Sequence, residues 1–177
     1  MLLAFSWNIK AATMNTKSFL IISTLFIAFA IPAKSQLKGF SIGPYAEMAW
    51  PAGDFQKTHK NGLGAGLSAD IKLPGKLGLT GSAGYIHFAG KSFDDGKNPA
   101  VNAFPIRAGL KYRPLPLIYF KLEAGNAQFT GNNNGAAFLL SPGIGVRILG
   151  IDVQAKYETW FRDGNYSFWG LRAGLNL

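Results

Sequence analysis

One short stretch of this sequence brings together side chains whose types could do covalent chemistry. A hydrolase triad needs a histidine, a serine and a carboxylate that converge. His87 with Ser92 and either Asp94 or Asp95 is the one combination that offers these groups close together. The alternative interpretation, which we favour, is that His87 is an interfacial histidine beside a polar loop. His59 is interpreted as a loop residue, and we predict no catalytic residue.

Two further motifs resemble ligand-binding sequences but are better explained as local structure. Asp94-Asp95-Gly96 offers two carboxylates to Ca²⁺, although Asp and Gly in such a run are more typical of a turn. Gly62-x-Gly-x-Gly66 is spaced like a phosphate-binding loop, but it lies inside a predicted strand with no helix after it. We therefore predict no metal site and no cofactor.

The first 35 residues have the three parts of a secretory signal peptide. Lys17 is followed by an apolar run over residues 18–30 and by small residues at Ala33 and Ser35. We expect translation to start at Met14 and cleavage to fall between Ser35 and Gln36. The alternative, a membrane anchor, needs about 18 or more apolar residues, and this run is shorter. The domain prediction is a signal peptide over 1–35 and one folded domain over 36–177.

Composition limits the class of protein. The chain of 177 residues is 48% hydrophobic and has no cysteine, so it folds without disulfides or thiolate metal sites. Its formal net charge is +9, of which the first 35 residues carry three positive charges and the rest +6. Such an excess suits nucleic acid, an anionic membrane or an acidic partner. The direction in which these charges point decides among the three.

After Gln36 the sequence alternates between apolar and polar residues with a period of two, which predicts strands with two different faces. Long aliphatic residues such as Leu67, Leu110 and Val153 occupy one face. Eight such strands are predicted, at 39–50, 62–73, 77–88, 103–113, 118–128, 137–148, 151–161 and 166–177.

The charged residues of these strands all fall on the face opposite the aliphatic one. The set comprises Glu47, Asp70, Lys72, Arg107, Lys111, Arg113, Lys121, Glu123, Arg147, Asp152, Lys156, Glu158 and Arg172. If the sheet closes in a membrane with its aliphatic face outside, these residues form a structural charge network in the lumen. The opposite orientation would expose Arg107 and Lys111 to lipid at about 2–4 kcal/mol each. Nucleic-acid binding then loses its support.

Strand length, loop length and aromatic placement favour a membrane barrel over a soluble β-protein. The predicted strands have the nine to eleven residues, or slightly more, that a tilted membrane strand requires. Short turns alternate with longer polar loops. Aromatic residues mark the strand ends as two expected girdles. The outer one comprises Trp50, Phe55, Tyr85, Phe88, Phe104, Trp160, Phe161, Tyr166 and Trp169, and the inner one Phe40, Tyr112, Tyr119 and Phe120.

Several segments resemble the small outer-membrane β-barrel domain family related to OmpA and OmpX. They are Pro51-Ala-Gly-Asp-Phe55 with residues 60–66, residues 105–112, Leu122-Glu-Ala-Gly125, residues 143–147 and the ending at 170–177. The resemblance implies an outer-membrane location and the barrel assembly machinery as a folding partner, and it implies no activity. Members usually end in an aromatic residue, whereas this chain ends in Leu177.

The expected fold is therefore an all-β, eight-stranded antiparallel up-and-down transmembrane barrel with a plugged polar interior. An eight-stranded barrel is only wide enough for side chains. We expect a non-enzymatic, monomeric protein of the cell outer membrane, surrounded by lipid and lipopolysaccharide, with a structural or surface-interaction role carried by its external loops. The alternatives are an exported, soluble lipocalin-like barrel that holds an apolar ligand and, less favoured, a lipid-modifying enzyme.

Overall fold

The structure, a computed structural model, describes residues 39–93, 96–131, 135–162 and 164–176. The predicted signal peptide over 1–35, its start at Met14, its cleavage site at Ser35/Gln36 and the last residue, Leu177, lie outside the described residues. No helix in the described part of the chain is long and apolar enough to span a membrane.

Eight long strands of 10 to 14 residues form the sheet, and one short helix and two short strands lie in its connections. In chain order the elements are β1 (Phe40–Ala52), α1 (Asp54–Thr58), β2 (His59–Lys72), β3 (Leu77–Gly90), β4 (Ser92–Phe93), β5 (Gly96–Lys97), β6 (Val101–Tyr112), β7 (Ile118–Thr130), β8 (Gly135–Ile148), β9 (Ile151–Phe161) and β10 (Tyr166–Leu175).

The sheet closes on itself as an antiparallel barrel in the order β1-β10-β9-β8-β7-β6-β3-β2. Each long strand pairs with the next one along the chain, and β1 pairs with β10 to complete the ring, with Tyr45 opposite Gly174. The predicted eight-stranded up-and-down barrel is confirmed. β4 and β5 form a separate small hairpin.

The direction of the side chains also agrees with the prediction. Leu67 and Leu110 are exposed on the outside of the barrel, whereas Arg107, Lys111 and Lys156 are buried inside it. A lipocalin-like barrel needs the opposite arrangement, with aliphatic side chains around an internal ligand and charges in water. The described barrel therefore contradicts that alternative.

The two ends of the barrel differ in their connections. At one end, here called the turn end, β2–β3, β6–β7 and β8–β9 are joined by short turns. In the last of these turns Leu149 and Gly150 both have positive φ values, 49° and 86°, as a tight two-residue hairpin requires. The other end, here called the loop end, carries α1 and the β4–β5 hairpin. It also carries the connections from β7 to β8 and from β9 to β10.

The aromatic residues at the strand ends divide between the outside and the lumen, so the prediction of two girdles is correct for part of the set. The residues exposed outside are Trp50, Tyr85, Phe104, Phe161 and Trp169 near the loop end, and Phe40, Tyr112 and Phe120 near the turn end. Phe55, Phe88, Trp160 and Tyr119 are buried instead, and Tyr166 packs against the buried group. For these five residues the girdle prediction is wrong, because four of them lie on the lumenal face of a strand and Phe55 lies on α1.

Candidate functional site

The lumen contains most of the charged residues that the alternation places opposite the aliphatic face, together with their hydrogen-bonding partners. Ten of the thirteen are buried: Glu47, Asp70, Arg107, Lys111, Lys121, Glu123, Asp152, Lys156, Glu158 and Arg172. Arg113 and Arg147 are partly exposed, and Lys72 is exposed. Lys72 thus departs from the expected network, because it is the last residue of β2 and its side chain reaches the opening at the turn end.

A central cluster joins strands from different sides of the ring. The Glu158 carboxylate on β9 accepts hydrogen bonds from Arg107 Nε and Nη2 on β6 at 2.9 and 2.8 Å. It also accepts one from Lys156 Nζ at 2.6 Å. Lys156 Nζ lies 2.8 Å from Glu47 Oε1 on β1, and Arg172 Nη2 donates to Glu47 Oε2 at 3.0 Å. Each buried charge therefore has an opposite charge within reach, as burial requires.

A second cluster lies nearer the turn end. Lys111 Nζ on β6 donates to Asp70 on β2 at 2.9 Å and to Asp152 on β9 at 3.2 Å. Arg147 on β8 donates to both carboxylates, and Tyr119 donates its hydroxyl hydrogen to Asp152. β2 and β8 lie on opposite sides of the eight-strand ring, so the Arg147–Asp70 pair spans the lumen.

Two weaker contacts complete the charged set. Lys121 Nζ lies 3.8 Å from Glu123 Oε1, and Ser82 donates to the same oxygen at 3.4 Å. Arg113 Nη2 lies 3.9 Å from Asp70 Oδ2, which is too long for a hydrogen bond.

Inward glycines make room for tyrosines in this lumen. A Cβ atom on Gly66 or Gly84 would collide with the Tyr45 hydroxyl, and one on Gly145 would collide with the Tyr119 ring. Both rings lie close to cations: Arg172 is 4.0 Å from the Tyr45 ring centroid, and Lys111 is 3.7 Å from that of Tyr119. The prediction that glycines admit long side chains applies to these tyrosines as well as to lysine and arginine.

Toward the loop end the lumen is filled by an apolar cluster, here called the aromatic plug. It is built from Phe55, Phe88, Phe129, Trp160 and Phe168, with Tyr166 packed against it. Phe88 on β3 and Trp160 on β9 come from opposite sides of the ring, and their ring centroids are 6.1 Å apart. The plug therefore closes the lumen from wall to wall. Trp160 Nε1 donates to Glu158 Oε1 at 2.6 Å, which connects the plug to the central cluster.

The plug is the feature that sequence reasoning missed, although the sequence contains a signal for it. Trp160 lies an even number of residues from Lys156 and Glu158 on β9, and Phe168 lies an even number of residues from Arg172 on β10. Period-two alternation carried to the ends of the strands places these rings inside.

At the loop end a cleft of about 440 Å³ is lined by Trp50, His59, Lys60 and Lys91, among others. Lys91 Nζ donates to the Gln56 carbonyl oxygen at 2.6 Å, and Lys60 is exposed. Trp50 is exposed on the outer wall. The cleft therefore combines two cations with an aromatic residue at the edge of the apolar surface.

His59 is buried at the start of β2, so its assignment to a loop is wrong. It lies beyond the apolar outer surface of β2, which begins at Leu63. His59 Nε2 donates to the Pro99 carbonyl oxygen at 3.1 Å. Burial lowers the pKa of His59, and the Pro99 carbonyl offsets part of that effect.

The hydrolase and metal candidates gain no support from the described residues. His87 is exposed, and its Nδ1 atom lies 2.6 Å from Asn102 Oδ1. Ser92 belongs to β4, while Asp94 and Asp95 lie outside the described residues. Within the described ranges no group of three or more His, Asp or Glu side chains is arranged to hold a metal ion.

Comparison with known proteins identifies the fold. No protein-family model matches the sequence, and no curated protein matches it. Among solved structures, the Yersinia pestis outer membrane protein Ail in a phospholipid bilayer nanodisc aligns with a TM-score of 0.54 at 16% identity, over 76% of this chain and 99% of that one.

Two other solved structures align almost as well. The N-terminal β-barrel domain of Pseudomonas aeruginosa OprF gives a TM-score of 0.52 at 13% identity, covering 77% of this chain and 97% of that one. A de novo designed transmembrane β-barrel gives 0.52 at 14%, covering 77% and 95%. The chain therefore has the eight-stranded transmembrane barrel fold. Because a designed barrel matches as well as natural ones, the fold does not identify an activity.

Proposed function

We propose that this chain is an integral outer-membrane protein with a closed lumen, without enzymatic activity, whose loop end carries a structural or surface-interaction role. The single observation that carries the proposal is the aliphatic outer surface of a closed sheet whose charged residues are buried inside it. That arrangement suits a barrel in lipid and is unfavourable for a barrel in water.

The outer surface supports the membrane location. Exposed apolar residues occur on all eight long strands, including Met48, Leu67, Leu79, Ile106, Leu122, Ile144, Ile151 and Leu171. Soluble monomers rarely expose continuous apolar patches of more than a few hundred Å². A barrel also pairs every strand with two neighbours, which satisfies the backbone polar groups that lipid cannot.

The packing of the lumen supports a role other than diffusion. Ion pairs between opposite strands cross the centre of the lumen and the region near the turn end, and the aromatic plug closes the loop end. An eight-stranded barrel has an interior only wide enough for side chains. We infer that solutes do not pass through it.

The proposed partners follow from the same surfaces. Lipid and lipopolysaccharide surround the barrel, and the barrel assembly machinery inserts it. Nucleic acid is not a proposed partner, because most of the strand cations are turned into the lumen. The barrel is proposed to be a monomer, because its strands close without a second chain.

Membrane extraction and conductance test this proposal on the same purified protein. We expect the chain to stay in the membrane fraction after carbonate and salt washes and to change gel mobility on heating. We also expect no steady current of porin size in planar bilayers. Release by the washes, or such a current from correctly folded protein, would contradict the proposal.

The residues of the loop-end cleft indicate which kind of ligand the surface role involves. Lys60 and Lys91 lie beside Trp50, which faces outward where the apolar surface ends. Lipopolysaccharide carries phosphate groups, and a lysine near an anionic membrane surface contributes about 1 kcal/mol of attraction. We propose that the cleft binds these phosphates.

Replacement of both cleft lysines should weaken lipopolysaccharide binding. For the double variant Lys60→Gln and Lys91→Gln we expect an affinity about 30-fold lower, since two favourable charge contacts are lost. Titration of labelled lipopolysaccharide into nanodisc-embedded protein measures this. Lys57→Gln is the matched control, because Lys57 is exposed at the same end on α1 and does not line the cleft. Equal losses in the control and the double variant would show that the cleft has no special role.

A further inference from the structure

At the turn end the lumen opens into a cavity of about 310 Å³. Lys72, Arg113, Arg147, Tyr119 and Asn176 contribute to its wall. The volume lies at the lower end of the range of about 300–1,000 Å³ that is typical of small-molecule sites. The cavity is separate from the loop-end cleft, since the aromatic plug and the central cluster lie between them.

This end of the lumen carries an excess of positive charge. Among the described residues here, four cationic side chains share two carboxylates: Lys72, Lys111, Arg113 and Arg147 against Asp70 and Asp152. Both carboxylates already contact Lys111 and Arg147 directly. Counted over the described residues alone, two positive charges at the cavity are therefore left without a carboxylate of their own.

The unbalanced cations also have unused donors. In the described part of the chain, the side chains of Lys72 and Arg113 make no hydrogen bond; the nearest carboxylate oxygen to Arg113 is 3.9 Å away. A guanidinium group has a planar fork of donors that matches the oxygens of a phosphate. Beside them, Asn176 Oδ1 is a buried acceptor that no donor of the described protein reaches.

From these observations we propose that the turn-end cavity is a binding site for a phosphate-bearing ligand. Arg113 and Lys72 hold the phosphate oxygens, and Arg147 adds to the positive field while it remains bound to Asp70 and Asp152. Asn176 Oδ1 accepts a hydrogen bond from a hydroxyl or ammonium group of the same ligand.

The rim of the cavity allows the phosphate to come from either of two sources. Leu117 and Leu149 line the opening and are exposed, and Leu149 is 99% exposed. Such a rim suits the acyl chains of a phospholipid whose head group enters the cavity. A free phosphate or a soluble phosphate ester reaches the same donors from water.

Binding measured on the folded full chain in detergent micelles tests the proposal. The probes are inorganic phosphate and sn-glycero-3-phosphoethanolamine, titrated against chloride at equal ionic strength and followed by calorimetry and by the amide resonances of Tyr119 and Asn176. We expect saturable binding that is weakened about tenfold by Arg113→Gln and by Lys72→Gln, since each removes charged donors. Both variants should keep the heat-modifiable gel mobility of the barrel.

Lys76→Gln is the matched control, because Lys76 lies in the β2–β3 turn at the same end and does not line the cavity. Tighter binding of the glycerophosphoethanolamine identifies a lipid head group as the source, and equal or tighter binding of phosphate identifies a free phosphate; either result supports the site. No saturable binding of either probe, or an equal loss in the Lys76→Gln variant, would overturn it.

Discussion

Replacement of Glu158 by glutamine is expected to lower the free energy of unfolding by about 3–5 kcal/mol, because it leaves buried cations without their carboxylate. Glu158 is fully buried and accepts hydrogen bonds from Arg107, Lys156 and Trp160. In the Glu158→Gln variant, Lys156 still has Glu47. Among the described residues, Arg107 has no second carboxylate hydrogen-bonded to it, and its other side-chain partner is the Tyr45 hydroxyl at 3.5 Å.

Asp54→Asn is the matched control for this experiment. It makes the same change from carboxylate to amide in an ion pair with Lys57, in which the side chains of Asp54 and Lys57 are 91% and 77% exposed. We expect a change close to zero there, because solvent screens exposed pairs. Denaturant unfolding of both variants in lipid vesicles, followed by tryptophan fluorescence, measures the difference. Equal stabilities of the two variants would mean that the lumenal charges contribute nothing beyond filling space.

Replacement of Leu67 by arginine is expected to destabilise the protein in a bilayer by about 2–4 kcal/mol. Leu67 lies midway along the apolar outer surface of β2, between Leu63 and Ile71. An arginine there must enter the hydrocarbon or pull water and head groups toward itself. In water the same substitution at an exposed position would cost almost nothing.

Leu115→Arg is the matched control, since Leu115 lies in the β6–β7 turn and is 55% exposed, close to the 56% of Leu67. Unfolding of both variants in vesicles of defined thickness, compared with the parent protein, gives the two costs. A large cost for Leu67→Arg and a small one for Leu115→Arg is the expected pattern. Similar small costs would indicate that the outer surface is not in lipid.

The strands were predictable because alternation and length are local properties of the sequence. Every predicted strand is present, and the bounds differ by at most a few residues. The largest difference is at β2, which begins at His59 rather than Gly62, because a register irregularity between these residues interrupts the alternation. α1 was not predicted; at five residues it is too short to show a helical period.

The aromatic plug consists mainly of residues near strand ends whose side chains face the lumen rather than the lipid. Position near a strand end, taken alone, predicts that an aromatic residue belongs to a girdle. The position of a residue along its strand does not determine which face of the sheet its side chain occupies. Phe88 and Trp160 lie near strand ends, as girdle residues do, but the alternation places them on the lumenal face. Tyr119 is the same case at the turn end, since it shares its face with Lys121 and Glu123.

The sequence alone thus determines which residues face inward, because each strand alternates and only its apolar face is stable against lipid. The sequence alone does not determine which inward residues form ion pairs with each other. Arg107 pairs with Glu158 across 51 positions, and Arg172 with Glu47 across 125. Those partners depend on the ring order and on the stagger at which β1 closes on β10, and both arise only when the whole sheet forms. The turn-end cavity has the same origin, since only closure brings to one opening Lys72 of β2, Arg113 directly after β6, Tyr119 of β7 and Arg147 of β8.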